Sequence, residues 1–181
     1  MSHKLIKDET QALHKTLDQL RLNKRIMSKD VTLEDYKSFL IAQFNVYAFL
    51  KQHLKAIDSE FYESIKNRYS TLKKDLLQVG VEVDKIGFIP FEELTNTENK
   101  SVLLGLQYVL EGSRHGAVFI KKHLQNQLDL KGDCFHFLSY NSSIEWKELI
   151  EGLDRENDTL HLKIGAIYAY KLFIASFKAS S

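Results

Sequence analysis

Three glycines interrupt what otherwise reads as one long helix, Val102 to Gln125. Gly105, Gly112 and Gly116 are spaced by seven and four residues, so all three fall near one face. Each interior glycine costs a helix roughly 1 kcal/mol relative to alanine, about 3 kcal/mol together. Something must offset that cost. Removing side chains from one stripe lets the backbone come close to another body, either a neighbouring helix or a flat ligand. The glycines alone leave both open, and for Gly105 close helix packing is the simpler reading.

The rest of the chain repeats the helical period. Ser2 to about Asn23 carries Ile6, Leu13, Leu17 and Leu20 on one side. Thr32 to about Ile57 reads as a second helix, opened by Thr32 with Asp35 as a capping pair. Its stripe includes Tyr36, Phe39, Leu40, Phe44, Tyr47 and Leu50. Ser59 to about Val79 is a third helix, ended by Gly80. Val81 to Pro90 reads as an extended connector, and Phe91 to Thr95 as a short turn of helix. The glycine-bearing helix starts near Asn99. Gly132 to Leu138 suits a short helix. Ser142 to Leu153 suits another, capped by Ser142 or Ser143 with Glu145 in its first turn. Asn157 to Lys178 closes the chain. Period-two alternation is almost absent, so the expected fold is an all-α bundle, one domain over residues 1–181.

Composition narrows the function classes. A chain of 181 residues with 44% apolar and 27% charged residues suits a soluble helical globule with one core. A net charge of +1 argues against a general nucleic-acid binder. Cys134 is the lone cysteine, which excludes an intramolecular disulfide and fits a reducing compartment. The start, MSHKLIKDET, lacks the apolar core of a signal peptide. The richest apolar stretch, Ile164 to Phe177, is broken by Lys171 and reads as a buried final helix rather than a span. A cytoplasmic location is expected.

The chemistry-bearing pattern lies in the first helix. Lys7, Thr10, His14 and Asp18 are spaced by three, four and four, and line one stripe beside Leu13 and Leu17. A neutral imidazole at the edge of an apolar stripe can bind a haem iron through one nitrogen while the other donates a hydrogen bond. Taken alone, such a histidine is more often structural, and Asp18 reads as a solvated helix charge. His3, His53, His115, His123, His136 and His161 form no tight metal-ligand spacing.

Lys7-x-x-Thr10-x-x-x-His14-x-x-x-Asp18 resembles the opening of the haem oxygenases (heme oxygenases). The likeness continues through Val31-Thr32-x-Glu34-x-Tyr36-Lys37 and Phe44-x-x-Tyr47 to Leu50. It resumes at Tyr108-Val109-Leu110-Glu111-Gly112-Ser113-Arg114-His115-Gly116-Ala117, which is similar to the distal helix of the bacterial enzymes. It covers most of the chain, from about Leu5 to the last helix.

The resemblance implies a haem held between the first helix and the glycine-rich helix. Its iron would be ligated by His14, with Gly112, Ser113 and Gly116 on the distal, reacting side. It implies that Thr10, Tyr47 and Tyr108 contact the haem, and that Lys7 and Lys147 pair with its propionates. The implied reaction is oxidative cleavage of haem to biliverdin, carbon monoxide and ferrous iron. Haem is then both substrate and cofactor, consuming O2 and electrons from an external reductant. A ferredoxin or flavoprotein reductase and a bilin-accepting protein are the partners implied, with no nucleic acid and no membrane span.

Three departures stand out. Ser113 occupies the position of an aspartate in the mammalian enzymes, and serine can hold water but brings no charge. Ala117 replaces the second member of a glycine pair. Glu151 stands where a propionate-anchoring arginine is expected. A haem carrier or sensor that never breaks its ligand would keep His14 and the glycines, and is the alternative on the same fold. A scaffold that has lost haem altogether is a third reading.

Overall fold

Local sequence sets most of the helix boundaries. A computed structural model describes residues 2–55, 59–130 and 133–180. Within them the chain forms eight α-helices and a short 3-10 turn at Val83–Lys85, with no strand. The helices are α1 (Ser2–Gln19), α2 (Arg21–Ile26), α3 (Leu33–His53), α4 (Glu60–Gln78), α5 (Lys100–Gln127), α6 (His136–Ser139), α7 (Trp146–Arg155) and α8 (Thr159–Ala179). No helix among the described residues is long and apolar enough to cross a membrane.

The capping pair expected at Thr32 is present. The Thr32 hydroxyl accepts from the Asp35 amide, and the Asp35 carboxylate accepts from the Thr32 amide at 2.8 Å. Arg25 of α2 adds a 2.8 Å ion pair to that carboxylate, which ties α2 to the start of α3. Ser59, Asn99 and Asp158 cap α4, α5 and α8 more simply, each side chain accepting from an amide of the first turn. Gly80 ends α4 at φ +80°, a left-handed turn that glycine adopts without strain.

Four expectations need correction. The first helix does not run on to Asn23. Leu20 is extended at φ −61°, ψ 144°, and the Asn23 side chain turns back to donate to the Leu17 carbonyl at 2.7 Å. Residues 91–95 form no helix. Phe91 packs edge-on against Phe49 at 5.1 Å, and the Glu92 carbonyl accepts from the Tyr168 hydroxyl at 2.6 Å, so tertiary contacts hold this segment extended. Neither Ser142 nor Ser143 caps α7, which begins at Trp146 behind Glu145 with no side-chain cap. Ser142 is turned into the core, where its hydroxyl accepts from the Ile144 amide and donates to Ser64. The helix expected from Gly132 is shorter, His136–Ser139, and Gly132, like Ile57 at the expected end of α3, lies outside the described residues.

The core is built on α8. Its most extensive partner is α5, followed by α1 and α3. Gly105 and Gly165 make the α5–α8 crossing possible. A Cβ on Gly105 would collide with the Leu162 carbonyl, and one on Gly165 with the Val102 carbonyl. The glycine stripe therefore divides by role: Gly105 serves close helix packing, as its simpler reading held. With both α1 and α5 seated on α8 but scarcely on each other, a gap remains between them.

Candidate functional site

That gap is a cavity of about 960 Å³, walled by α1, α5, α7 and α8. This is the size range of small-molecule and cofactor sites. Its α1 wall carries Lys7, Thr10, His14 and Asp18, the stripe picked out by helical spacing, and Lys15 beside them. Its α5 wall carries Tyr108, Gly112, Ser113 and Gly116.

His14 is oriented by its own helix. Its Nδ1 lies 2.9 Å from Asp18 Oδ2, one turn on. A carboxylate only accepts, so Nδ1 carries the proton, and in the neutral ring Nε2 is then the nitrogen with a lone pair for a metal. The imidazole also meets the Tyr170 ring edge-on at 5.9 Å. Asp18, read from sequence as a solvated charge, is exposed and also pairs with His14. Tyr170 is pushed up to about 12, first by burial and then by Tyr108 and Asp18, so its phenol stays protonated beside the site. Thr10 is buried, and its hydroxyl donates to the Ile6 carbonyl at 2.7 Å. Lys7 and Lys15 make no ion pair among the described residues and line the cavity.

The α5 wall is bare where the spacing predicts. A Cβ on Gly116 would meet no atom within 4 Å, so the position fronts open space. At Gly112 the nearest group is the Trp146 ring, 3.4 Å from where a Cβ would sit. Ser113 donates its hydroxyl to the Leu110 carbonyl at 2.7 Å, which leaves its oxygen able to accept from the cavity side. Tyr108 is stacked on Trp146, with centroids 5.5 Å apart and planes 23° apart.

Two expected residues lie elsewhere. Tyr47 is fully buried behind the cavity, where its hydroxyl accepts from Arg68 at 3.2 Å. Lys147 points to solvent with 89% of its side chain exposed, 3.9 Å from Glu151, and is outside the cavity lining.

Sequence reading missed the polar network beside Ser113. Arg68 of α4 and Glu111 of α5 form a 2.8 Å ion pair with only 4% and 1% of their side chains exposed. Ser64 donates to the other Glu111 oxygen at 3.0 Å. Arg114 adds a third donor at 3.2 Å, and also donates to Asn141 and to the Ile144 carbonyl. Two guanidiniums on one carboxylate leave a net positive charge at the distal end, and both arginines line the cavity. Arg68 Nε is buried with no partner among the described residues. The signal was present in part, because Glu111 falls on the buried flank of α5, where a carboxylate requires a cation. Trp146, which also lines the cavity, was given no role by the sequence reading.

Among the described residues, no group of three or more histidines, cysteines or carboxylates is placed to hold a bare metal ion. The site fits a metal carried in a flat macrocycle: one free imidazole nitrogen on one wall, bare backbone on the other, and an apolar flank between them.

Comparison with known proteins bears on the fold and the family. No curated protein matches the sequence. Among solved structures, heme oxygenase-1 from the cyanobacterium Synechocystis sp. PCC6803, in complex with heme, superposes with a TM-score of 0.75 at 15% identity. The match covers 99% of this chain and 90% of that one, and establishes a shared fold. The heme oxygenase family model matches residues 2–178, nearly the whole sequence, and the chain therefore belongs to the haem oxygenase family.

Proposed function

We propose that this chain cleaves haem oxidatively to biliverdin, carbon monoxide and ferrous iron, using O2 and externally supplied electrons. One observation carries the reading: His14, its Nδ1 tied to Asp18, shares a cavity with the bare backbone of Gly112 and Gly116. When bound, haem supplies the redox chemistry as substrate and cofactor together.

The protein's own residues do the rest. His14 would hold the iron through Nε2, and Asp18 would fix its tautomer and ring plane. Gly116 keeps the α5 wall free of side chains and would leave room there for a small ligand and ordered water. Ser113 accepts from that water. Arg68 and Arg114 leave the region positive, so that it favours an anionic group, while Glu111 and Tyr47 hold the Arg68 fork in place. Lys7 reaches a propionate at the mouth. Tyr108 stiffens the distal wall through its stack on Trp146. Tyr47 acts from behind, through Arg68, and Lys147 contributes only by local charge. An imidazole would supply the haem with a nitrogen ligand rather than a thiolate. The electrons come from a ferredoxin or flavoprotein reductase, the product passes to a bilin acceptor, and the setting is cytoplasmic.

Haem titration tests this directly. Trp146 is the chain's single tryptophan and lines the cavity, so saturable quenching of its emission reports arrival. Reductant is then added in air with catalase present, because free peroxide degrades haem unaided. Loss of the Soret band with growth of a biliverdin band is the expected result, and His14→Ala should abolish both the native ferric spectrum and turnover. A stable complex that only takes up oxygen, even with a physiological reductase, would instead identify a carrier or sensor.

A further inference from the structure

Trp146 stands at the first position of α7 and is held on three sides. The Tyr108 ring stacks on it at 5.5 Å, the His115 ring meets it edge-on at 5.0 Å, and Gly112 lies against its outer carbons. An indole fixed in this way is a rigid panel, because any rotation breaks two aromatic contacts at once. The bareness of Gly112 is explained as much by this ring as by the cavity, since a Cβ there would press on it at 3.4 Å.

The panel is also chemically one-sided. α7 adds only Trp146 and Ile150 to the lining, both apolar. The cations of the lining are unevenly committed. Arg68 and Arg114 are paired with Glu111, whereas Lys7 and Lys15 of α1 have no ion pair among the described residues. A disc with one anionic edge and three apolar edges therefore meets an apolar wall at α7 and uncommitted charge at α1.

We infer that the Trp146 panel, held by Tyr108 and His115, is the specificity determinant that selects one in-plane orientation of haem, with an apolar edge against α7 and the propionates towards Lys7 and Lys15. The inference rests on the haem reading above and extends it. It also names what chooses the carbon at which the ring opens, because the edge under the distal wall is set once the apolar edge is seated against Trp146.

The test reads orientation rather than turnover. The probe is ferric haem with cyanide, one equivalent per chain, followed by proton NMR of the shifted ring-methyl signals. The wild-type chain should give one dominant set. Trp146→Leu should add a second set, with the ratio of orientations falling about tenfold, the scale of a lost aromatic contact pair. Trp146→Phe keeps an aromatic panel and should restore most of the preference. His115→Leu loosens the panel without emptying it, so it should shift the ratio in the same direction by less, and it decides the matter if Trp146→Leu does not fold. An unchanged ratio in Trp146→Leu, or in a folded His115→Leu where that variant decides, overturns the inference while leaving the haem reading intact. A wild-type chain that already binds in two equal orientations does the same. Failure of the wild-type chain to bind haem at all removes both.

Discussion

His14 has 59% of its side chain exposed, and a free imidazole at that exposure would turn about its own bond. The Asp18 carboxylate one turn on stops it and leaves Nε2 facing outward. Removing this kind of support to a metal-binding histidine typically costs 10- to 100-fold in affinity. Asp18→Ala should therefore weaken ferric haem binding by about that factor, with a ferric spectrum that depends on temperature because the ring is no longer fixed. Equal affinity in titrations of the two proteins would return Asp18 to the role of a solvated charge. Asp35 provides a second residue-scale case, this time for stability. The Arg25 guanidinium, helped by Thr32, holds its carboxyl at about 2. The folded value lies below the ordinary carboxylate range, so the stabilisation is complete above roughly pH 4 and drains away as pH falls towards 2. Asp35→Asn should cost about 1–2 kcal/mol at neutral pH, through loss of the cap and the ion pair. The gap to wild type should narrow below pH 4, as read from urea midpoints across pH. A gap independent of pH would mean that the carboxylate's charge plays no part.

Helix by helix, sequence spacing revealed which residues share a face but not what each face meets. Thr32 and Asp35 were legible because a capping box is a local arrangement, closed within four residues. Ser142 was not, because its hydroxyl answers to Ser64 on another helix. The glycine stripe shows the same limit within a single helix. Spacing placed Gly105, Gly112 and Gly116 together, yet one meets the α8 backbone, one an indole and one open space. The three should accordingly respond to alanine with different signs. Gly105→Ala gains about 1 kcal/mol of helix propensity, but the new methyl collides with rigid backbone, and forcing α5 from α8 costs about 1–3 kcal/mol or more. Its net effect should be destabilising. Gly116→Ala meets nothing and should stabilise the haem-free protein by up to about 1 kcal/mol, while weakening haem binding because the methyl enters the cavity. Thermal melts with and without haem separate the two effects. A Gly116→Ala protein that is more stable and binds haem as well as wild type would show that the bare wall is not needed.

Across the whole molecule, the site exists because α8 carries α1 and α5 on neighbouring flanks and keeps them apart. The His14 stripe and the glycine stripe were each visible in sequence. The charge that completes the distal end was not, because Arg68 and Glu111 are 43 residues apart and meet only through their long side chains once the chain is folded. Their pairing has a consequence for stability as well as for the cavity. Each group alone would be a buried, unpaired charge, and breaking such a pair from one side costs about 3–5 kcal/mol, whereas replacing both ions with apolar residues is often close to neutral. Arg68→Leu and Glu111→Leu should each be strongly destabilising, Arg68→Leu because it leaves Glu111 with only Arg114 and Ser64. The double variant should be far less destabilised than the sum of the two, with a coupling of several kcal/mol in the cycle. Arg114 stays in the double variant with its carboxylate gone, so the distal end keeps one positive charge while losing the fork that Tyr47 and Glu111 held. If the haem complex of that variant forms and is as stable as wild type but opens the ring slowly, the ion pair serves water ordering rather than folding. Strict additivity in denaturant midpoints would instead mean that the two charges do not depend on each other, and that Arg114 alone satisfies Glu111.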